Sequence, residues 1–263
     1  MMRASGPVRL ALWAIAGTVL VLLYGPLVVA IFFSFFKFRS NQVQWDSFSF
    51  DAYEKLLANE NVVGALGNTV LVGVSAVAAA LVLGTLLAFY YHGSRGPARA
   101  WLQLIIFLPF VMPPILTGLA LLIFFRQIDF PRSLVTVVIG HTVFVLALVY
   151  RNILARLQTL SRSLVEASLD LGASRWQTFR YVLLPNLATA ALASAILAFA
   201  LSFDETLITL LVTGTSNTLP LWLWSLMRLG FTPDINALVT LILIGTTGVC
   251  LFAVRYLTVP QAR

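Results

Sequence analysis

The chain has 263 residues, of which 60% are hydrophobic and 10% are charged, and its mean hydropathy is +0.94. About 25% of the residues of an ordinary soluble domain are charged, so this composition excludes that class and indicates an integral membrane protein. The formal net charge is +7, but the basic residues are spread over several short segments, which argues against nucleic-acid binding.

Six long segments carry almost no charge. A helix needs about 20 residues to cross roughly 30 Å of hydrocarbon, and each segment has about that length or more. The sequence therefore predicts an all-α, polytopic membrane protein with six transmembrane helices, in a single transmembrane domain over residues 1–263. The six segments are residues 10–36, 60–94, 100–125, 133–150, 181–203 and 235–254.

The first apolar segment follows Arg3 and Arg9, as the core of a signal peptide would. It is longer than such a core, which has about 7–15 residues, so we interpret it as the first transmembrane helix. Cys250 is the only cysteine. An intrachain disulfide is therefore excluded, and we expect neither a metal nor a cofactor.

The distribution of basic residues predicts the orientation. With six spans both termini lie on one side, and that side holds eleven of the 17 lysines and arginines. Because cytoplasmic loops carry the excess of these residues, we expect both termini in the cytoplasm and a multi-pass protein in the inner (cytoplasmic) membrane.

Several features inside the predicted membrane region stand out. The first span ends in an aromatic cluster at 32–36, and Asp51 begins a predicted short surface helix. The second span is rich in small residues, which predicts a packed interior helix. The third contains Pro109, Pro113 and Pro114, which interrupt a helix because proline has no N–H donor. Such broken backbone fits either a position beside a transport path or a structural kink.

A charged segment between the fourth and fifth spans, EASLDLGASRWQTFRYVLLP, differs from everything around it. Residues 163–166 and 174–177 fit helix-capping boxes, and Gly172 between them suits a left-handed turn. Pro185 limits the second helix. We therefore predict a helix, a glycine turn and a short helix that stand clear of the bilayer. From these residues alone, docking to a partner and contact with anionic lipid stay equally open.

The spacing of this segment resembles the EAA loop of permeases of ATP-binding-cassette (ABC) importers. That pattern is E-A-A, three residues, G, nine residues and then I-x-L-P, and both spacings match. Ser168 and Val182 are mild departures. The resemblance implies that the loop, about residues 156–186, forms the coupling helix that docks on an ATPase subunit. The matching residues are Glu166, Ala167, Gly172, Leu184 and Pro185.

The chain has no phosphate-binding loop of the G-x-x-x-x-G-K-[S/T] type, since neither Lys37 nor Lys55, its only lysines, follows a glycine. If transport is driven by ATP, hydrolysis belongs to a separate subunit and this chain is not itself an enzyme. His92 and His141 have no metal cluster or nucleophile around them in the sequence, which disfavours a membrane enzyme. We expect His141 to make a hydrogen bond between helices.

The fifth predicted span starts after Pro185 and runs toward Leu211, and the second lies near 62–91. With these bounds Asp204 and Glu205 are the only acidic residues within a predicted span. A charge at the bilayer centre costs at least about 2.5–3.5 kcal/mol, so such residues usually face a cavity or a partner. A substrate path is the leading interpretation. The alternatives are a helix cap or a pair with Arg228.

Nearly the whole chain resembles the polyamine branch of these permeases, the spermidine/putrescine transporters. The similarity is strongest at 166–185, 201–205, 218–221 and 233–238. It implies an acidic pair on the substrate path at Asp204 and Glu205.

Trp222 fits either cation–π contact on that path or an interfacial aromatic belt. Pro114 departs from the pattern, because many relatives have an acidic residue there, so one cation ligand is absent.

The resemblance also implies the partners. These are ATPase subunits, a second permease in a heterodimer, and an extracytoplasmic solute-binding protein. Importers of ferric iron, thiamine or phosphonate share the framework and stay open as alternatives. A secondary transporter driven by an ion gradient is the rival from another class.

Overall fold

The structure is a computed structural model, and it describes residues 6–39, 42–94, 96–229 and 233–257. The regular secondary structure of the described residues is almost all helical, which confirms the predicted all-α class. The strands are a short hairpin, with β1 (Lys37–Arg39) antiparallel to β2 (Gln42–Gln44).

The first five helices are α1 (Gly6–Phe33), α2 (Asp51–Ala58), α3 (Glu60–Gly93), α4 (Ala98–Val111) and α5 (Pro114–Gln127). They are followed by α6 (Leu134–Thr159), α7 (Arg162–Asp170), α8 (Arg175–Gln177), α9 (Leu184–Asp204), α10 (Leu207–Val212), α11 (Leu219–Leu229) and α12 (Pro233–Leu257). A π-helical turn, Thr178–Leu183, joins α8 to α9 without a break.

Within the described ranges, four helical stretches are long and apolar enough to cross a membrane. The bent pair of α4 and α5 adds a fifth if it counts as one span, and α12 contains a shorter apolar stretch, Ile235–Gly248. The count of six spans therefore stays a prediction. The four long stretches are Val8–Phe33, Glu60–Gly93, Leu134–Thr159 and Arg175–Asp204.

The chain divides into two compact units, one formed by the two ends, up to Val63 and from Ser225 onward, and the other by Gly64–Trp224. In the first unit, α1 and α2 each pack against α12. The aromatic cluster predicted after the first span extends along the chain, and Phe35 stacks on Phe48 with ring centroids 5.5 Å apart.

The predicted surface helix in this unit is confirmed, since α2 begins at Asp51. The Asp51 carboxylate forms an ion pair with Lys37 at the start of β1. The hydrogen bond and the charge of Lys37 lower the pKa of that carboxyl.

In the second unit α6 is central and takes part in two separate buried clusters. Its C-terminal half packs with α3, α4 and α9 around Tyr150 and Ile153. Its N-terminal half packs with α3, α5 and α10 around Val137 and Ile208. Phe144 packs against both clusters, so it lies where they meet.

The predicted interruption of the third span is confirmed at one point. The chain bends by 108° between α4 and α5, at Met112 and Pro113, whereas Pro109 lies inside α4. Pro113 has no N–H to offer the Pro109 carbonyl four residues before it, and the Thr117 hydroxyl donates to that carbonyl instead (3.3 Å). A side-chain hydroxyl thus replaces the missing amide, as broken membrane helices require.

A second interruption was not predicted. The sequence indicated that the fifth span runs to Leu211, but α9 ends at Asp204 and α10 begins at Leu207. Glu205 has an extended ψ of 109°. Its carboxylate accepts the Ile208 backbone N–H (2.9 Å), which starts a new helix.

The contact between α3 and α6 depends on Gly84, as the small-residue composition of α3 predicted. A Cβ at this position would lie 3.1 Å from the Tyr150 backbone nitrogen and 3.1 Å from Val149 Cγ1. We expect Gly84→Leu to separate the helices and to lower the melting temperature of the purified chain in detergent by about 5 °C, because overpacking costs about 1–3 kcal/mol.

Gly67→Leu is the matched control for this substitution. Gly67 is on the same helix, is exposed, and has no atom within 4 Å of an added Cβ. Unfolding of both variants is followed by intrinsic fluorescence. Equal melting temperatures for the two variants would contradict the tight contact.

Candidate functional site

The segment between α6 and α9 begins with a cap that differs from the prediction. Helix α7 starts at Arg162, and Ser161 caps it by accepting the Ser163 backbone N–H (3.2 Å). The predicted capping box at 163–166 is therefore wrong. Ser163 is already inside the helix, and its hydroxyl pairs with that of Ser161 (2.5 Å).

The turn after α7 is the glycine turn that the sequence predicted. Gly172 has φ +84°, the left-handed region that favours glycine. The Ala173 N–H donates to the Ser168 carbonyl (3.1 Å) and the Gly172 N–H donates to the Leu169 carbonyl (2.9 Å). These two bonds form a Schellman motif, which satisfies the last carbonyls of α7.

The second capping box is confirmed. The Ser174 hydroxyl accepts the Gln177 backbone N–H (3.3 Å), and the Gln177 carboxamide accepts the Ser174 backbone N–H (2.7 Å). The hydroxyls of Ser168 and Thr178 are 3.0 Å apart and link α7 to the π-helical turn. Ser168 is one of the two residues that depart from the family pattern, and its contact with Thr178 was not predicted.

All five residues predicted to contact an ATPase are exposed. Around the glycine turn Leu171 is 89% exposed and Trp176 is 68% exposed, although both are large apolar residues. A shallow cavity of about 330 Å³ lies between α7 and the π-helical turn. The five exposed residues are Glu166, Ala167, Gly172, Leu184 and Pro185.

Pro185 does not limit the second helix, which corrects the prediction. The chain stays helical from Arg175 to Asp204, because the turn before the proline widens and the Leu184 N–H donates to the Phe179 carbonyl five residues earlier. Pro185 then lies in the first turn of α9, where a missing N–H is tolerated. The Arg156 side chain on α6 donates to the Asn186 carbonyl (3.0 Å) and fixes this end of α9.

At the other end of α9 the structure brings Asp204 and Glu205 to one cavity. Asp204 is exposed, whereas Glu205 is 8% exposed and caps α10 through the Ile208 N–H. The cap that the sequence left open as an alternative therefore applies to Glu205. The cavity has a volume of about 410 Å³ and is lined by Phe144, Leu148, Leu197, Ala200, Leu201, Asp204 and Glu205.

His141 lies on α6 beside this break and is 1% exposed. Its Nδ1 is 2.8 Å from the Ser202 hydroxyl on α9, and its Nε2 is 2.8 Å from the Thr209 hydroxyl on α10. The predicted hydrogen bond between helices is confirmed.

Trp222 lies elsewhere, on α11. It is half-buried and is not among the described residues that line the cavity of Asp204 and Glu205. The loop before α11 is held by two bonds to α3, from the Asn68 carboxamide to the Asn217 carbonyl (2.9 Å) and from the Leu219 N–H to the Thr69 hydroxyl (2.7 Å). Over the described ranges, no three His, Cys, Asp or Glu side chains form a metal site.

Residues 80–262 match the family described as the inner membrane component of binding-protein-dependent transport systems, and the chain belongs to that family. It is 36% identical over 248 residues to the putrescine transport system permease protein PotI of Escherichia coli (strain K12), which covers 89% of this chain and 86% of that protein. It is 29% identical over 223 residues to the spermidine/putrescine transport system permease protein PotC of Haemophilus influenzae, covering 84% of this chain and 86% of that protein.

Two solved structures show the same fold. A bacterial ABC transporter involved in the import of the acidic polysaccharide alginate has a TM-score of 0.76 at 15% identity, covering 97% of this chain and 96% of that chain. The MetNI methionine ABC transporter has a TM-score of 0.62 at 20% identity, covering 80% of this chain and 100% of that chain. The family match confirms the resemblance inferred from the loop spacing, and the chain is a transport component of the inner membrane.

Proposed function

We propose that the chain is one permease subunit of an ATP-driven importer that moves polyamines into the cytoplasm. A second permease subunit, in a heterodimer, would complete the path, with both termini in the cytoplasm. An extracytoplasmic binding protein would deliver the substrate. The similarity to the PotI and PotC permeases supports the polyamine class.

The observation that carries this proposal is the composition of the cavity at the end of α9. Asp204 supplies an exposed carboxylate, and Glu205 adjoins it. The other lining residues are apolar, among them Phe144 and Leu148 on α6. A polyamine combines ammonium groups, which match the carboxylates, with methylene chains, which match the apolar lining. An anionic solute would be repelled by the carboxylates, since like charges at short range are unfavourable.

The exposed segment from α7 to the π-helical turn fits the surface on which an ATPase docks. Its apolar residues Leu171 and Trp176 point to burial against a protein partner, because such groups are common at the centres of interfaces. From this segment the chain continues as helix to Asp204, so a displacement of the loop is carried along α9. The contact between Arg156 and the Asn186 carbonyl transmits the same displacement to α6.

Purification and transport together test the proposal. The chain, tagged and expressed together with the genes that neighbour its own, is expected to co-purify with an ATPase subunit and a second permease. In liposomes supplied with binding protein and internal ATP, the complex is expected to accumulate radiolabelled putrescine, and spermidine should compete. Arginine and phosphate should not compete.

Two results would overturn the proposal. Putrescine uptake that continues without ATP while a membrane potential is held would identify a secondary transporter. ATP-dependent uptake of another solute, with no putrescine transport, would retain the importer and exclude the polyamine substrate.

A further inference from the structure

The break between α9 and α10 is held together by side chains. Among residues 184–212, three side-chain hydrogen bonds cross the break. The Glu205 carboxylate accepts the Ile208 N–H, the Thr209 hydroxyl donates to the Glu205 carbonyl (3.1 Å), and the Thr206 hydroxyl donates to the Asp204 carbonyl (3.3 Å). Two helical rods joined in this way can change their mutual angle when the side-chain bonds change. The direction of Asp204 depends on that angle, because it is the last residue of α9.

His141 is the one described side chain of another helix that is hydrogen-bonded to both sides of this break. Ser202 lies two residues before Asp204, where α9 ends, and Thr209 lies two residues after Leu207, where α10 begins. Since the ring is rigid and nearly completely buried, the two 2.8 Å contacts fix α9 and α10 to the same point of α6. The three helices are thereby locked at the level of the acidic pair.

The chemistry of the contacts suits a structural lock that needs no charge. A neutral imidazole offers one N–H donor and one acceptor nitrogen. Because the Thr209 hydroxyl donates to the Glu205 carbonyl, it accepts the Nε2–H, and the Ser202 hydroxyl donates to Nδ1, so one tautomer of the neutral ring satisfies both contacts. Loss of the ring would leave the buried Ser202 hydroxyl without its partner, which is costly in a protein interior, and would remove the link from α6 to Thr209.

We propose that His141 is a positioning residue for Asp204, which it keeps directed into the cavity by locking the α9–α10 break. This inference rests on the proposed function only for its transport readout. The lock itself is a property of the fold, and it can be tested without a substrate.

The transport test uses the assembled complex in liposomes and measures putrescine molecules transported per ATP hydrolysed. His141→Leu is expected to lower this ratio about tenfold while the complex assembles normally. His141→Gln should restore at least half of the wild-type ratio, because a carboxamide has the donor and acceptor needed for both hydroxyls. Thr142→Val is the matched control, since the Thr142 hydroxyl bonds only within its own helix, to the Val138 carbonyl (2.7 Å).

A double-mutant cycle separates the lock from general packing. Ser202→Ala with Thr209→Val removes both hydroxyls and should reproduce the tenfold loss. Adding His141→Leu to that pair should cause no further loss, because residues in one hydrogen-bond network are not additive. Full additivity of the two sets would overturn the proposal.

The substrate-free test measures the direction of residue 204. In a Cys250→Ala background, Asp204→Cys introduces a thiol whose rate of reaction with a positively charged thiosulfonate reagent reports its access to the cavity. His141→Leu should change that rate at least fivefold and Thr142→Val should leave it unchanged. If the wild type transports no putrescine, the proposed function fails and this rate still decides the role of His141. An unchanged rate overturns that role even where putrescine is transported.

Discussion

Replacing Asp204 with asparagine and Glu205 with glutamine together is expected to reduce ATP-driven putrescine uptake about a hundredfold or more. A hydrogen bond to a charged group contributes about 1.5–3 kcal/mol, so the loss of two such contacts to a cation in transit amounts to about 3 kcal/mol at least. The measurement is the initial rate of radiolabelled putrescine uptake by the reconstituted complex.

The two single substitutions are expected to differ. Asp204→Asn should account for most of the loss, because this carboxylate is exposed at the cavity. Glu205→Gln should have a smaller effect, because the carboxamide oxygen can still accept the Ile208 N–H and keep the start of α10 in place. Assembly should therefore be normal in both variants, as judged by co-purification of the partner subunits.

Asp129→Asn is the control for removal of an exposed negative charge. Asp129 lies between α5 and α6 with φ +53°, a conformation that asparagine adopts readily. Normal uptake by the double variant at 204 and 205 would remove the acidic pair from the substrate path. A loss as large in the Asp129 variant would attribute the effect to overall charge.

Replacing Gly172 with valine is expected to lower the putrescine transported per ATP hydrolysed at least tenfold. A β-branched residue at φ +84° costs about 1–3 kcal/mol, so the turn moves to another conformation. The two Schellman bonds to Ser168 and Leu169 are then lost. Because the turn sits at the tip of the segment proposed to contact the ATPase, hydrolysis should continue without productive coupling.

A second substitution at the same position identifies the reason for the loss. An added Cβ at Gly172 meets no atom within 4 Å in this chain, and asparagine tolerates left-handed backbone. Gly172→Asn should therefore retain coupling if the backbone conformation is what matters. If asparagine uncouples as severely as valine, close approach of the partner is the cause.

Gly93→Val provides the control for a valine near the ends of the helices. Gly93 is exposed, has no positive φ, and has open space around an added Cβ. Coupling should be unchanged in this variant. Full coupling by Gly172→Val would contradict the docking role of the turn.

The local features of the segment from α7 to α8 could be predicted because they depend on neighbours in the sequence. The local sequence predicts a left-handed turn at Gly172 and a capping box at 174–177, and the structure has both. The first cap was misassigned because Ser161 and Ser163 are equally good capping residues two positions apart. The structure begins α7 at Arg162, which makes Ser161 the cap.

The break at Glu205 could not be predicted for a different reason. No glycine or proline marks it, and the residues around it fit a continuous helix. The carboxylate cap and the His141 contacts decide the conformation, and the histidine is 61 and 68 residues away from its two partners. The sequence indicated that His141 would bond to another helix, but not to which one.

The wide turn at Thr178–Leu183 also bears on the rotation of α9 about its own axis. A π-helical turn holds one more residue than an α-helical turn, and successive residues of an α-helix differ by about 100° around its axis. Deleting one residue from the wide turn would let it close as an α-helical turn and leave Asp204 facing the cavity of Phe144 and Leu148. Deleting one residue from the α-helical part of α9 before Asp204 would instead rotate that side chain by about 100°. The wide turn therefore absorbs a one-residue change in the length of the loop without turning the cavity face of α9.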